Sequence, residues 1–162
     1  MSGGSAAPLA AHRRFLLTTV DGLTDDQARQ RTTVSELTLG GVVKHVAQTE
    51  SGWIDFILDG PSTMAPSEAG WAAREDGFVL RADETLAGVV AFYAEVAKRT
   101  DALVESLPDL DASQLLPEAP WSPPGARRSA RRVFLHIVAE TAQHAGHADI
   151  LREAIDGAKT MG

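Results

Sequence analysis

The chain is 162 residues long, contains no cysteine and carries a net charge of -7 from 15 basic and 22 acidic residues. These numbers exclude disulfides, thiolate metal sites and an internal cysteine nucleophile, and they speak against nucleic-acid binding by phosphate neutralisation. The length suits one domain able to bury roughly 70% of its unfolded surface without covalent staples.

Residues 1–8 lack the basic start and apolar core of a signal peptide and read as a flexible leader, with 158–162 as a tail. No run approaches the roughly 18 to 20 apolar residues of a membrane span, so a soluble cytoplasmic protein is expected. A first helix is expected from about Leu9 to Val20, with Leu9, Phe15, Leu16 and Val20 as its apolar side. Thr24 and Gln27 have capping-box spacing and open a short helical turn before Arg31. A second helix begins near Thr38, where Leu39, Val42, Val43, Val46, Trp53, Ile54 and Ile57 recur at helical spacing, and Gly60-Pro61 ends it. From Gly60 to Ala82 a long connection is expected, with a short turn around Trp71. Asp83 is the expected cap of a third helix running through Leu86, Val89, Val90, Tyr93, Val96 and Leu103, which Pro108 stops. Five prolines between Pro108 and Pro124 mark a second long loop. A fourth helix runs from near Ser129 to Gly157, a left-handed cap.

These segments, with no convincing strand, predict an all-α four-helix bundle over 9–157. Two long connections allow consecutive helices to run parallel. In such bundles, ligand and metal sites form from side chains that face inward from neighbouring helices.

The fourth helix holds the chemistry-bearing side chains. Joining its apolar positions Val133, Ile137, Leu151 and Ile155 in steps of three and four passes through Glu140, His144 and Ala148, which puts an acid and an imidazole on the core stripe. A carboxylate there needs compensation, and a pair at i, i+4 can share a proton or a metal ion. The same spacing also serves a surface ion pair or a satisfied core hydrogen bond. His136, Glu140, His144 and His147 fall within one sector of roughly 80°. The remaining mid-helix histidine is His45, on the flank of the second helix's apolar face, with Gly40 and Gly41 leaving room beside it for a ligand or a close helix contact. His12 is a less supported donor. Two imidazoles and one carboxylate make a three-ligand set with an open position, as in catalytic zinc, and the same set suits Fe(II). His147 can line the pocket, support a ligand or steer a proton. Arg127, Arg128, Arg131 and Arg132 form a basic corner, either solvated and paired with the acidic surface or binding an anionic ligand. Trp53, Trp71 and Trp121 are expected as core or loop anchors.

Leu37-Thr-Leu-Gly-Gly-Val-Val-Lys-His45 and Glu140-Thr-Ala-Gln-His-Ala-Gly-His-Ala-Asp-Ile-Leu-Arg-Glu-Ala-Ile-Asp-Gly157 resemble the DinB/YfiT-like metalloprotein superfamily, and more narrowly its DUF664 branch. Much of that superfamily places two histidines at i, i+4 on the last helix. Glu140 at the first of these positions is similar to the mycothiol-dependent maleylpyruvate isomerase branch. The resemblance implies a four-helix bundle, often a homodimer. It also implies a divalent ion, frequently zinc or nickel, on His45, Glu140 and His144, and a low-molecular-weight thiol such as mycothiol as cosubstrate. The expected activity is a thiol S-transferase or thiol-dependent isomerase acting on an electrophilic small molecule. Alternatives are a metal-dependent hydrolase, with Glu50 as a conceivable base, and a non-enzymatic metal- or ligand-binding module.

Overall fold

The computed structural model describes residues 6–64, 67, 76–119 and 122–160. The expected turn at Trp71 and the anchoring roles of Trp71 and Trp121 lie outside the described residues. Helix α1 spans Ala6–Thr18, starting three residues before the expected Leu9. The short α2, Asp25–Ala28, has the capping box expected of Thr24 and Gln27, each side chain bonded to the other's backbone N–H. Helix α3 spans Leu39–Asp59, capped by Thr38, whose hydroxyl accepts from the Gly41 N–H. It ends at Gly60, and a single turn of 3-10 helix follows at Pro61–Met64.

Helix α4 spans Leu86–Ser106. Its cap is Thr85, which accepts from the Gly88 N–H at 3.0 Å, and not the expected Asp83. Thr85 directly precedes the first helical residue, so its oxygen reaches the third helical N–H, whereas Asp83 stands two residues too early. Helix α5 spans Ala130–Asp156 and stops at Gly157, whose φ of 78° is left-handed as expected.

The second connection is not the strand-free loop that was expected. Strands β1, Ser113–Leu115, and β2, Arg127–Ser129, pair antiparallel, with Ser113 opposite Ser129 and Leu115 opposite Arg127. Three-residue strands are too short for a period-two pattern to show in sequence. Backbone bonds from Ala130 N–H to Ala112 O and from Arg131 N–H to Leu110 O carry the pairing into the first turn of α5. This ribbon fixes where α5 begins.

Two apolar clusters stack along the bundle. One joins Leu16 of α1, Val42, Val43 and Val46 of α3, Val89 and Tyr93 of α4, and Ala148 and Leu151 of α5. The other joins Leu9, Ile54, Phe56, Val133, Phe134 and Ile137, with Leu103 and Leu107 against them. The ends that share a cluster give the directions. Helices α3 and α4 run parallel, as the first long connection allows, and both run antiparallel to α1 and α5. No helix among the described residues is long and apolar enough to cross a membrane.

Between the clusters lies a buried polar knot. Glu50 is fully enclosed. It accepts from the Arg13 guanidinium and, at 2.6 Å, from the Thr100 hydroxyl, and Arg13 also reaches Asp101 at 2.9 Å. This ties α1, α3 and α4 together at one level.

Candidate metal centre

The core stripe of α5 is Val133, Ile137, Thr141, Ala145, Ala148 and Leu151. Glu140 and His144 stand on its flank. Their side chains keep 27% and 11% exposure, so the expectation that both face the core is corrected to a position at its edge. Thr141 takes the buried place instead, its hydroxyl satisfied by the Ile137 carbonyl at 2.8 Å. A three- and four-residue count cannot separate neighbouring positions on a helix whose true period is about 3.6.

Because α3 and α5 are antiparallel, two ladders of every fourth residue face one another: His45, Thr49 and Trp53 on α3, and His136, Glu140 and His144 on α5. His45 meets His144, with ring centroids 4.9 Å apart. Trp53 meets His136 edge-on at 5.1 Å. In the middle, one nitrogen each from His45 and His144 and one Glu140 oxygen lie within 4.8 Å of one another. Among the described residues this is the single group of three or more such donors so arranged. His12 is elsewhere, against Phe15.

The Glu140 oxygens stand clear of both histidines one turn away on α5. Glu140 Oε2 is 3.6 Å from His144 Nε2, and Oε1 is 3.8 Å from His136 Nε2, both beyond hydrogen-bond length. Burial pushes His144 below the ordinary imidazole range, Glu140 pulls the other way, and His147 adds to the lowering. His136 is lowered too, first by burial, against Glu140 and with Arg128 and Arg132. Neutral rings with available lone pairs are what a cation requires. Tetrahedral ligands at about 2.1 Å stand roughly 3.4 Å apart, so small side-chain rotations close the trio on an ion. The donor set therefore fits a divalent metal.

The surroundings fix the rings. The other His144 nitrogen, Nδ1, lies 3.4 Å from His147 Nδ1. His45 Nε2 lies 3.4 Å from the Thr49 hydroxyl, and the Phe78 ring stacks on His45 at 3.8 Å and 18°. Phe78 carries no sequence signal, since it sits in a segment without periodicity. The glycines explain its approach: a Cβ at Gly41 would lie 1.8 Å from the Phe78 carbonyl oxygen, and one at Gly40 would lie 2.8 Å from the Leu80 side chain. Gly40 and Gly41 thus admit a close pass of the non-helical residues 78–80, and neither the ligand nor the helix expected there. Lys44 holds that pass, donating to Val79 O at 3.0 Å, Asp76 at 3.2 Å and Glu84 at 2.8 Å.

Glu50 does not face this centre. Its carboxylate is consumed in the core by Arg13 and Thr100, which removes the conceivable base of the hydrolase alternative. Arg127 clips the ribbon through Ser113, and Arg131 grips Asp111, so neither faces an open site.

The family described as mycothiol-S-transferase matches residues 6–157. The chain belongs to the mycothiol-S-transferase family. Both motif-bearing helices fall inside the matched span, which supports a thiol-transferase-like function in general. A solved structure, described as the conserved protein of a locus from Enterococcus faecalis, is similar to this mycothiol-S-transferase family member with a TM-score of 0.71. It covers 95% of this chain and 96% of that one at 14% identity, a likeness of fold alone. No curated protein matches significantly.

Proposed function

We propose that the protein is a divalent-metal-dependent thiol S-transferase or thiol-dependent isomerase. It uses mycothiol or a similar thiol against an electrophilic small molecule, with His45, Glu140 and His144 as metal ligands. The observation that carries this reading is the convergence of those three donors within 4.8 Å in a chain of this family. One carboxylate and two neutral imidazoles leave a divalent ion with net positive charge, suited to zinc or nickel, with iron sharing the same donor set. When bound, such an ion lowers the pKa of a coordinated thiol so that the thiolate is present at neutral pH.

The chain's own residues prepare the site. A proton on His144 Nδ1, donated to His147, leaves the Nε2 lone pair on the Glu140 side, so His147 acts as a positioning group rather than as an acid or base. Thr49 and Phe78 fix His45 from its edge and its face. With no cysteine in the chain, the sulfur arrives on the cosubstrate. The sulfur bonds to the electrophilic carbon as the thiol S–H bond breaks and its proton passes to solvent. In transfer, the carbon's bond to the leaving group breaks and that group departs with the electron pair. In isomerisation, the carbon–carbon π bond opens instead and re-forms when the thiol is expelled. A cytoplasmic homodimer, implied by the resemblance, completes the proposal, and sedimentation of the purified chain tests its stoichiometry.

Elemental analysis and calorimetry with mycothiol test the reading. The metal-loaded protein should bind the thiol, and His144→Ala should lose both metal and thiol. A loaded protein that gives no heat with mycothiol would overturn it.

A further inference from the structure

Of the four arginines in the basic corner, two have no acid to answer them. Arg127 and Arg131 are engaged with Ser113 and Asp111, whereas among the described residues neither Arg128 nor Arg132 makes a side-chain hydrogen bond or ion pair. Arg128 is half-buried all the same, its guanidinium lying 4.8 Å over the Trp53 ring. Burial and the neighbouring Arg132 both pull its pKa down. A cation partly removed from water beside a second cation is unfavourable until an anion joins it.

Trp53 links this pair to the metal centre. Its ring contacts His136, whose Nε2 faces Glu140 at 3.8 Å. Arg132, His136, Glu140 and His144 form one ladder on α5, each step rising about 6 Å. Arg132 thus starts two steps, about 12 Å along the axis, from Glu140. The Trp53 ring brings Arg128 to the side of His136, one step from the carboxylate, a separation that a substrate carrying an anionic group at its far end spans. A guanidinium held flat by an aromatic face presents its fork of N–H groups ready-aligned for an oxyanion.

We infer that Arg128, held by Trp53 and seconded by Arg132, binds an oxyanionic group, carboxylate or phosphate, of a molecule reacting at the His45–Glu140–His144 centre. This rests on the metal-centre reading above. The substrate class becomes an electrophile or thiol bearing such a group, and the basic corner sets specificity rather than performing chemistry.

The test uses zinc-loaded, 15N-labelled protein titrated with succinate, with inorganic phosphate, and with neutral succinamide, following the Trp53 indole and Arg128 guanidinium signals. At least one anion should give a saturable shift and succinamide none. Arg128→Gln should weaken that binding about tenfold or more, the loss of one charge-assisted hydrogen bond, with partial retention in Arg128→Lys. In turnover, Arg128→Gln should raise KM about tenfold for whichever partner carries the anion, electrophile or thiol, with kcat changed by less than about threefold. Equal shifts in Arg128→Gln, equal shifts with succinamide, or no shift with either anion would overturn the inference. His144→Ala separates the two readings: it should lose metal and thiol transfer but keep the anion-induced shift. If thiol transfer proceeds while Arg128→Gln changes nothing, the metal-centre reading stands and this one falls.

Discussion

Phe78 lies flat on His45, with ring centroids 3.8 Å apart, and its carbonyl oxygen fills the space that a side chain at position 41 would need. Backbone shape at Gly41 and ring orientation at His45 are thus one feature. Lys44, buried between them in sequence, anchors the same segment through Val79, Asp76 and Glu84.

Gly41→Ala should therefore damage the metal site without touching a ligand. The new methyl group cannot coexist with a carbonyl oxygen 1.8 Å away, so residues 78–80 must move. A stability loss of about 2 to 3 kcal/mol is expected in denaturant unfolding, the upper range of overpacking. Metal affinity should fall about 10-fold as His45 loses its stacked partner, in the range seen for outer groups around metal ligands. Unchanged affinity in a folded variant would mean that Phe78 does not orient His45.

Removal of a ligand should cost more than removal of a support. His45→Ala and His144→Ala should each lower metal affinity by about 100-fold or more, beyond the 10- to 100-fold typical of supporting groups. His147→Gln should fall within that supporting range. Competition with a chromogenic chelator measures all three, and a His147 variant as damaged as the ligand variants would make His147 a ligand itself.

Chelation should lower the melting temperature yet leave the helices in place. None of His45, Glu140 and His144 belongs to either apolar cluster, so the bundle closes without them. Circular dichroism during chelator titration should show retained helix and a shifted midpoint that returns with added ion. Complete unfolding on chelation would show that the ion is structural.

Acidification should destabilise the metal-free protein in two stages. His136 and His144 are held below the ordinary imidazole value of 6.5, chiefly by burial. The unfolded chain therefore binds protons first, and their contribution is complete above pH 6.5 and lost as pH falls through the lowered folded values. The second stage involves carboxyls. A hydrogen bond from Arg81 lowers Asp76 from 3.8. Burial raises Glu84, but Lys44 and the Arg81 N–H outweigh it and bring it below 4.5. Their contribution is present above those values and lost on further acidification. Melting temperatures from pH 8 to pH 3 check this, and a flat profile between pH 7.5 and 5.5 would exclude the first stage.

Glu50→Gln separates stability from chemistry. It leaves the buried Arg13 charge with only the part-exposed Asp101 as its anionic partner, at a cost of about 3 kcal/mol in chemical unfolding. Activity per folded molecule should be unchanged, because Glu50 faces the core. A loss of kcat at full folding would return Glu50 to the reaction.

The chain order of residues was enough to give the helices, the Thr24 capping box, the start of α3 near Thr38 and the Gly157 stop, and to mark His45, Glu140 and His144 as candidate donors. Each depends on local spacing or on residue chemistry, and both survive folding unchanged. Tertiary structure alone decided the rest. Whether Glu50 meets Arg13 or the metal site depends on how three helices rotate against each other. Gly40 and Gly41 admit chain rather than ligand because residues 78–80 return across α3 after a long connection. Arg128 differs from Arg127 because successive residues of a three-residue ribbon point one guanidinium at Trp53 and the other at Ser113, while Arg131, in the first turn of α5, meets Asp111. Such contacts join residues tens of positions apart, and no periodicity along one segment encodes which partner will arrive.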